Sequence, residues 1–134
     1  MMRVLVAGAG GGIGSACLEL LEEAGHRTFA VDRPGYDITV AGGAEQAVHD
    51  AGEALGGLDG VVHAIGMSGR RLGDGPVTEA TDDGWSEVMR VNLESAFRLL
   101  VAAEDEKVAA ADSSNGPGAP RTRTSLGHPR PRNS

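Results

Sequence analysis

Short apolar runs alternate along the chain with stretches in which apolar residues recur every three or four positions. The runs at residues 3–7, 28–32 and 58–66 are rich in Val and Ala and end at glycine or a charged residue, which is typical of buried strands. Helical spacing follows each run, over residues 13–24, over residues 44–55 and from Thr81 onward. This order predicts an α/β protein with a doubly wound parallel sheet joined by right-handed crossovers.

Residue types at the ends of the predicted helices support these boundaries. Gly25 follows the first helix as a stop signal, and Thr81 is a candidate N-cap with Asp82 and Asp83 in the first turn, where the helix dipole favours acids. The spacing in the last helix predicts one inward face, made of Trp85, Val88, Asn92, Ala96, Leu99 and Leu100.

The helical pattern decays after Ala102, and residues 112–134 are rich in Gly, Pro, Arg and Ser. Such a segment buries too little apolar area to offset its ordering entropy, so we expect a disordered tail after a single incomplete domain at residues 1–111. The residues that dominate this segment are those encoded by GC-rich codons, which suggests a frameshift or a mis-assigned reading frame near residues 100–115. A genuine short form of the protein is the alternative.

Charge and cysteine content narrow the class of protein. The net charge is −7. Residues 113–134 contain four arginines and no acid, so the rest of the chain has a net charge of −11. This acidic balance argues against a nucleic-acid surface. The chain has one Cys and no apolar run of about 20 residues, so we expect a cytoplasmic protein without a membrane partner. The four His residues show no ligand spacing, and we expect no metal site.

Five glycines lie in the seven residues from Gly8 to Gly14, between the first strand and the first helix. There the backbone can approach a phosphate while the helix directs free N–H groups at it. Ile13 excludes G-x-G-x-x-G, and no Lys follows to make a P-loop. Two patterns fit, namely G-x-x-x-G-x-G (Gly8, Gly12, Gly14) and G-x-x-G-x-x-G (Gly8, Gly11, Gly14). With Asp32 ending the next strand, the loop predicts a dinucleotide site in a Rossmann-like fold.

Five stretches in this order resemble the short-chain dehydrogenase/reductase family. AGAGGGIG (7–14) is similar to the family's T-G-x-x-x-G-I-G, with Ala7 in place of the hydroxyl residue. Asp32 matches the acid after the second strand, and DIT (37–39) is similar to the segment that contacts adenine. LDGVVHAIG (58–66) resembles the strand ending N-N-A-G, of which Gly66 alone matches, and WSEVMRVNLESAF (85–97) resembles the helix with the family's Asn.

The resemblance implies hydride transfer between NAD(P) and an alcohol or carbonyl. It also implies a set of cofactor-binding residues, which are Gly8, Gly10, Gly12, Ile13, Gly14, Asp32, Asp37, Ile38 and Gly66. Asn92 is implied as a catalytic residue that supports a proton relay. A carboxylate at residue 32 accepts hydrogen bonds from the ribose hydroxyls and repels a 2′-phosphate, so we expect NAD rather than NADP, with Arg33 partly offsetting that repulsion.

The family's catalytic Tyr and Lys have no counterpart in this sequence. Its one Tyr, Tyr36, is followed four positions later by Val40, and its one Lys, Lys107, is preceded four positions earlier by Ala103. Without Y-x-x-x-K, we expect the chain as written to be inactive, because a Tyr needs a cationic neighbour to exchange protons near neutral pH. Two alternatives are a non-catalytic dinucleotide-binding or sensing module and a chain that does not fold stably.

Overall fold

A computed structural model describes residues 1–73 and 75–114, with side chains up to Lys107. All six predicted elements are present in the predicted order. The elements are β1 (Arg3–Ala7), α1 (Gly12–Glu23), β2 (Arg27–Val31), α2 (Gly43–Leu55), β3 (Gly60–His63), α3 (Asp82–Met89), a π-helical turn (Arg90–Glu94) and α4 (Ser95–Ser114).

The three strands form one parallel sheet in the order β2-β1-β3. The chain moves from β1 to β2 through α1 and then returns past β1 to β3 through α2. Crossovers between parallel strands are right-handed as a rule, so connections that run in opposite directions along the sheet place α1 and α2 on opposite faces. The carboxyl ends of β1 and β3 therefore form a topological switch point, the place where doubly wound sheets bind ligands. The predicted fold class is confirmed.

The core lies between the sheet, α2 and α4. Val4, Leu5, Val6 and Ala7 are buried, which agrees with a central strand covered on both faces. The helical spacing predicted over residues 44–55 is also confirmed, and the buried residues of α2 are Ala44, Ala47, Val48, Ala51, Gly52 and Leu55. Small side chains on α2 bring α4 close, since a Cβ at Gly52 would lie 2.6 Å from Glu106 Oε1.

The long helix predicted from Thr81 forms, but its inward face differs from the prediction. Thr81 caps it as predicted, since its Oγ1 accepts a hydrogen bond of 3.0 Å from Gly84 N. Trp85 is 65% exposed, and Asn92 and Leu100 are exposed as well, so the prediction was wrong at these three positions. The buried face lies one residue earlier and carries smaller residues. The helix α4, which contacts α2 and β3, buries Ser95, Leu99 and Ala102, while Gly84 packs against the Leu72 carbonyl.

A hydrogen-bonded pair joins β3 to this smaller face. Ser95 is fully buried, and its Oγ donates to the Val91 carbonyl at 2.5 Å, so it accepts from His63 Nε2 at 2.8 Å. Burial lowers the pKa of His63, which keeps its imidazole neutral at pH 7. The pair thus fills the hydrogen-bonding capacity of a buried hydroxyl beside the sheet.

Within the described residues, β3 forms one edge of the sheet. Most of the segment expected to be disordered, residues 115–134, lies outside the described residues, while α4 reaches Ser114. No helix in residues 1–73 and 75–114 is both long and apolar enough to cross a membrane. Over the same ranges, no three His, Cys, Asp or Glu side chains are grouped so that they could hold a metal ion.

Candidate functional site

A cleft of about 580 Å³ opens at the carboxyl ends of the three strands. It extends from the glycine loop, past the end of β2, to the turn of helix before α4. Its lining residues are Gly8, Gly10, Gly11, Val31, Asp32, Arg33, Tyr36, Asp37, Ile38, Thr39, Ala64, Ile65, Gly66, Met67, Glu87, Arg90 and Val91. The cleft therefore coincides with the switch point, and all three segments that follow the strands contribute to it.

The glycine loop is held close to the backbone of both neighbouring strands. Gly8 has a φ of +84°, and its N donates to the Val31 carbonyl at 2.9 Å. A Cβ at Gly8 would lie 2.6 Å from the Ala64 carbonyl oxygen, and one at Gly14 would collide with the Gly8 carbonyl. Two of the predicted glycines are thus required by close backbone packing.

The start of α1 offers free N–H groups beside the cleft. Gly11 is the N-cap and supplies no side-chain acceptor, and the first turn of α1 contains no acid. A Cβ at Gly12 would meet no heavy atom within 4 Å, and Ile13 is 76% exposed. The first N–H groups of α1 therefore remain available to an anion near the loop.

The Asp32 carboxylate is oriented by two backbone N–H groups. Oδ2 accepts from Gly10 N at 2.5 Å, and Oδ1 accepts from Arg33 N at 2.8 Å. A Cβ at Gly10 would lie 2.7 Å from Oδ2, so a side chain there would displace the carboxylate. Glycine at position 10 thus allows the acid after β2 to pack against the phosphate-binding loop.

The segment from Asp37 to Thr39 forms the opposite wall. Thr39 donates from its N at 2.9 Å and from its Oγ1 at 2.5 Å, both to Asp37 Oδ1, while the Ile38 side chain is buried. These two bonds lower the pKa of Asp37, so this carboxylate is charged at neutral pH. Both bonds end on Oδ1, which leaves Oδ2 with acceptor capacity for a ligand.

Tyr36 supports this wall from outside the predicted site. Its OH donates to Asp50 Oδ2 at 2.9 Å, and its ring meets that of Phe29 edge-on with 5.9 Å between centroids. The hydrogen bond to Asp50 raises the pKa of Tyr36, which makes this tyrosine a poorer proton donor. The one tyrosine of the chain therefore has a structural role, in which it supports the outer end of the cleft.

Asn92 does not line the cleft, but it holds a segment that does. Its Oδ1 accepts from Met67 N at 2.7 Å, and its Nδ2 donates to Met67 O at 2.8 Å. A Cβ at Gly66 would lie 3.3 Å from Asn92 Oδ1, which is tighter than ordinary contact. The carboxamide thus fixes the segment after β3, and its part in a proton relay stays a prediction.

The structure brings most of the predicted cofactor-binding residues to one cleft. Six of them line it, namely Gly8, Gly10, Asp32, Asp37, Ile38 and Gly66. Gly12, Ile13 and Gly14 lie just beyond, at the start of α1. Sequence reasoning missed Glu87 and Arg90, although their spacing of three on a helix is a recognisable ion-pair signal.

These features fit a dinucleotide. Bare backbone and uncapped N–H groups suit a pyrophosphate, the carboxylate of Asp32 suits ribose hydroxyls, and the Asp37–Thr39 wall suits a base. Gly8 and Gly10 sit where a Cβ would strike the neighbouring backbone or the Asp32 carboxylate, so the sequence permits the close packing that the loop needs. NAD(P) would therefore be held by the loop, the start of α1 and the ends of β2 and β3.

Comparisons with known proteins agree with this geometry. Residues 35–116 match the family model described as enoyl-(acyl carrier protein) reductase. A Streptomyces virginiae protein named as a monensin polyketide synthase ketoacyl reductase is 33% identical over 115 residues, which cover 73% of this chain and 44% of that protein. The sequence relationship therefore extends beyond the glycine loop.

Solved structures show the same fold. A short chain dehydrogenase from Mycobacterium smegmatis has a TM-score of 0.64 and 27% identity, covering 81% of this chain and 52% of its own. The TT0495 protein of Thermus thermophilus has a TM-score of 0.66 and 28% identity, covering 82% of this chain and 52% of its own. The chain thus spans about half the length of these relatives. Motifs, cleft and matches together show that the chain belongs to the short-chain dehydrogenase/reductase family of NAD(P)-dependent oxidoreductases.

Proposed function

We propose that this chain forms the dinucleotide-binding part of an oxidoreductase that transfers hydride between NAD(P) and an alcohol or carbonyl. The observation that carries the proposal is the cleft itself, in which the glycine loop and two oriented carboxylates surround one space at the switch point. In this proposal the backbone at Gly8, Gly10, Gly12, Ile13 and Gly14 holds the pyrophosphate. The nicotinamide would supply the hydride chemistry when bound.

The other predicted residues take separate parts of the cofactor. Asp32 accepts hydrogen bonds from the adenosine ribose, while Asp37 and Ile38 contact the adenine. Gly66, held through Met67 by Asn92, lies on the side toward the nicotinamide. Each of these residues binds or orients the cofactor, and none of them supplies a proton in this proposal.

We further propose NAD as the preferred cofactor. The Asp32 carboxylate is directed by Gly10 N and Arg33 N, and it lines the cleft where a 2′-phosphate would add two negative charges. Repulsion between like charges disfavours NADP there. The Arg33 side chain also lines the cleft and reduces this repulsion, so we expect a preference rather than exclusion.

Isothermal calorimetry with NAD⁺ and NADP⁺ on the full chain tests both proposals. We expect tighter binding of NAD⁺, and we expect Asp32→Asn to weaken NAD⁺ binding about tenfold or more, because hydrogen bonds to a charged group are lost. Asp105→Asn is the matched control, since Asp105 is exposed on α4 and does not line the cleft. A folded chain that binds neither dinucleotide would refute the function, and equal affinities would refute the NAD preference.

We also expect these 134 residues to bind the cofactor without turning it over. They contain no Y-x-x-x-K, and the Tyr36 OH donates a hydrogen bond to Asp50 at the outer wall of the cleft. Mixing the chain with NADH and a panel of ketones, and following the NADH absorbance, checks this expectation. Consumption of NADH that depends on both ketone and chain would show that another group supplies the proton.

A further inference from the structure

Arg90 reaches across the cleft from the helical side to the wall formed by Asp37–Thr39. We propose that Arg90 is a positioning residue that holds this wall in place and so sets the selectivity of the site for adenine over other bases. The proposal rests on the proposed dinucleotide-binding function. It assigns a role to a residue that lies within the stretch 85–97 but was given no role by the resemblance.

The guanidinium of Arg90 is held in one orientation. Its Nε donates to Glu87 Oε2 at 2.8 Å, and one terminal nitrogen donates to Glu87 Oε1 at 2.6 Å. Two parallel hydrogen bonds of this kind fix the plane of the guanidinium as well as its position. The other terminal nitrogen is thereby directed at the Thr39 carbonyl, to which it donates at 2.9 Å.

The buried Ile38 side chain anchors the wall in the core, but the backbone of the wall has little regular structure of its own. It lies in the connection between β2, which ends at Val31, and α2, which begins at Gly43. Apart from the two bonds from Thr39 to Asp37 Oδ1, the backbone contact from Val40 N to Asp37 O is long, at 3.4 Å. The bond from Arg90, 51 positions away, joins the wall to the helix on the other side of the cleft.

Hydrogen bonds and nearby positive charges keep the carboxylates of Glu87 and Asp37 ionised at neutral pH. The hydrogen bonds from Arg90 lower the pKa of Glu87, and those from Thr39 lower the pKa of Asp37. Arg33 and Arg90 also lower the pKa of Asp37 through their positive charges. A carboxylate at Asp37 with one free oxygen accepts a hydrogen bond from the amino group of adenine, and it repels the carbonyl oxygen that hypoxanthine carries at the same position.

Arg98 provides a matched comparison on the same helical stretch. It forms an ion pair with Glu94, and its two donor nitrogens reach the same oxygen, Glu94 Oε1. The side chains of the two arginines have similar exposure, 37% for Arg90 and 31% for Arg98. Arg98 does not line the cleft, so its removal changes the surface charge without releasing the wall.

The test compares binding of NAD⁺ and of nicotinamide hypoxanthine dinucleotide by calorimetry on the full chain. We expect the wild-type chain to prefer NAD⁺ and Arg90→Gln to lower that ratio about tenfold, while Arg98→Gln leaves it unchanged. Arg90→Lys should also lose the preference, because a lysine cannot make the paired bonds to Glu87 and reach Thr39 as well. General destabilisation would weaken both ligands equally and would not move the ratio.

The possible failures are distinguishable. A folded wild-type chain that does not bind NAD⁺ refutes the proposed function and this inference with it. A chain that binds NAD⁺ refutes the inference alone if it does not discriminate between the bases or if Arg90→Gln keeps the wild-type ratio. Should Arg90→Gln not fold, Glu87→Gln removes the charge that orients Arg90, and an unchanged ratio in that variant overturns the inference.

Discussion

Replacing Gly12 with alanine separates the folding role of the glycine loop from its proposed binding role. Gly12 is the first residue of α1, and a Cβ there meets no heavy atom within 4 Å. Alanine has a better helix propensity than glycine by about 1 kcal/mol in a helix interior, and by less at the first position. We therefore expect the free energy of unfolding of Gly12→Ala to stay unchanged or to rise by a few tenths of a kcal/mol.

The affinity of Gly12→Ala for NAD⁺, unlike its stability, should fall. If the pyrophosphate approaches the backbone at the start of α1, the new methyl group occupies the space that the phosphate oxygens need. Loss of one or two hydrogen bonds to a charged group costs about 1.5–3 kcal/mol each, so we expect at least tenfold weaker binding.

Gly14→Ala is the contrasting variant. A Cβ there would collide with the Gly8 carbonyl and lie 3.1 Å from Ala9 Cα, and these are backbone atoms that cannot turn away. Overpacking of a tight core typically costs about 1–3 kcal/mol, and this overlap belongs at the upper end of that range. We expect a loss of about 3 kcal/mol, which corresponds to a fall in Tm of roughly 10 °C or more.

Urea denaturation and calorimetry with NAD⁺ on the three chains measure both effects. The expected result is a stable Gly12→Ala chain that binds poorly and a destabilised Gly14→Ala chain. If Gly12→Ala binds NAD⁺ with wild-type affinity, the pyrophosphate does not approach that residue. If Gly12→Ala loses as much stability as Gly14→Ala, the assignment of separate roles to the two glycines is wrong.

Two further predictions concern stability. Arg3 donates to both oxygens of Asp59 at 2.9 and 2.7 Å and holds the pKa of this carboxyl well below its usual range, so Asp59→Asn should reduce stability at pH 7. A carboxylate with a lowered pKa stabilises the fold at pH values above its unfolded pKa of about 4, and this stabilisation is lost as the pH falls. Urea titrations should therefore show the free energies of unfolding of wild type and variant converging in acid. A difference that stays constant with pH would contradict the ion-pair argument. Leu99 is fully buried and Phe97 is 65% exposed, so Leu99→Ala should cost about 2–5 kcal/mol and Phe97→Ala less than about 0.5 kcal/mol. The reverse order in thermal melts would show that Phe97, and not Leu99, packs in the core.

Local sequence features were sufficient to predict the elements and the architecture. A continuous apolar run such as Val4–Ala7 is stable only when both of its faces are covered, and the spacing of Ala44, Val48 and Leu55 presents one apolar stripe. Alternation of such runs and stripes permits few topologies, so the parallel sheet followed from the order alone. The glycine loop and Asp32 were predicted for the same reason, because each lies at the end of a strand.

The inward face of the long helix could not be predicted in the same way. Residues 82–103 carry an apolar stripe of large side chains such as Trp85 and Phe97 and a second face of smaller residues such as Ser95 and Ala102. Hydrophobicity favours the stripe with large side chains. The structure buries the other, because close approach to α2 and the sheet requires small side chains.

The sequence by itself determined the strands, the helices and the loop, since their signals lie within a few neighbouring residues. Tertiary structure alone decided the contacts between segments far apart in the chain, such as Asn92 with Met67 and Arg90 with Thr39. These pairs are 25 and 51 positions apart, and no local spacing encodes them. They form because the switch point brings the ends of β2 and β3 and the helix that follows to one cleft, where their polar groups can meet.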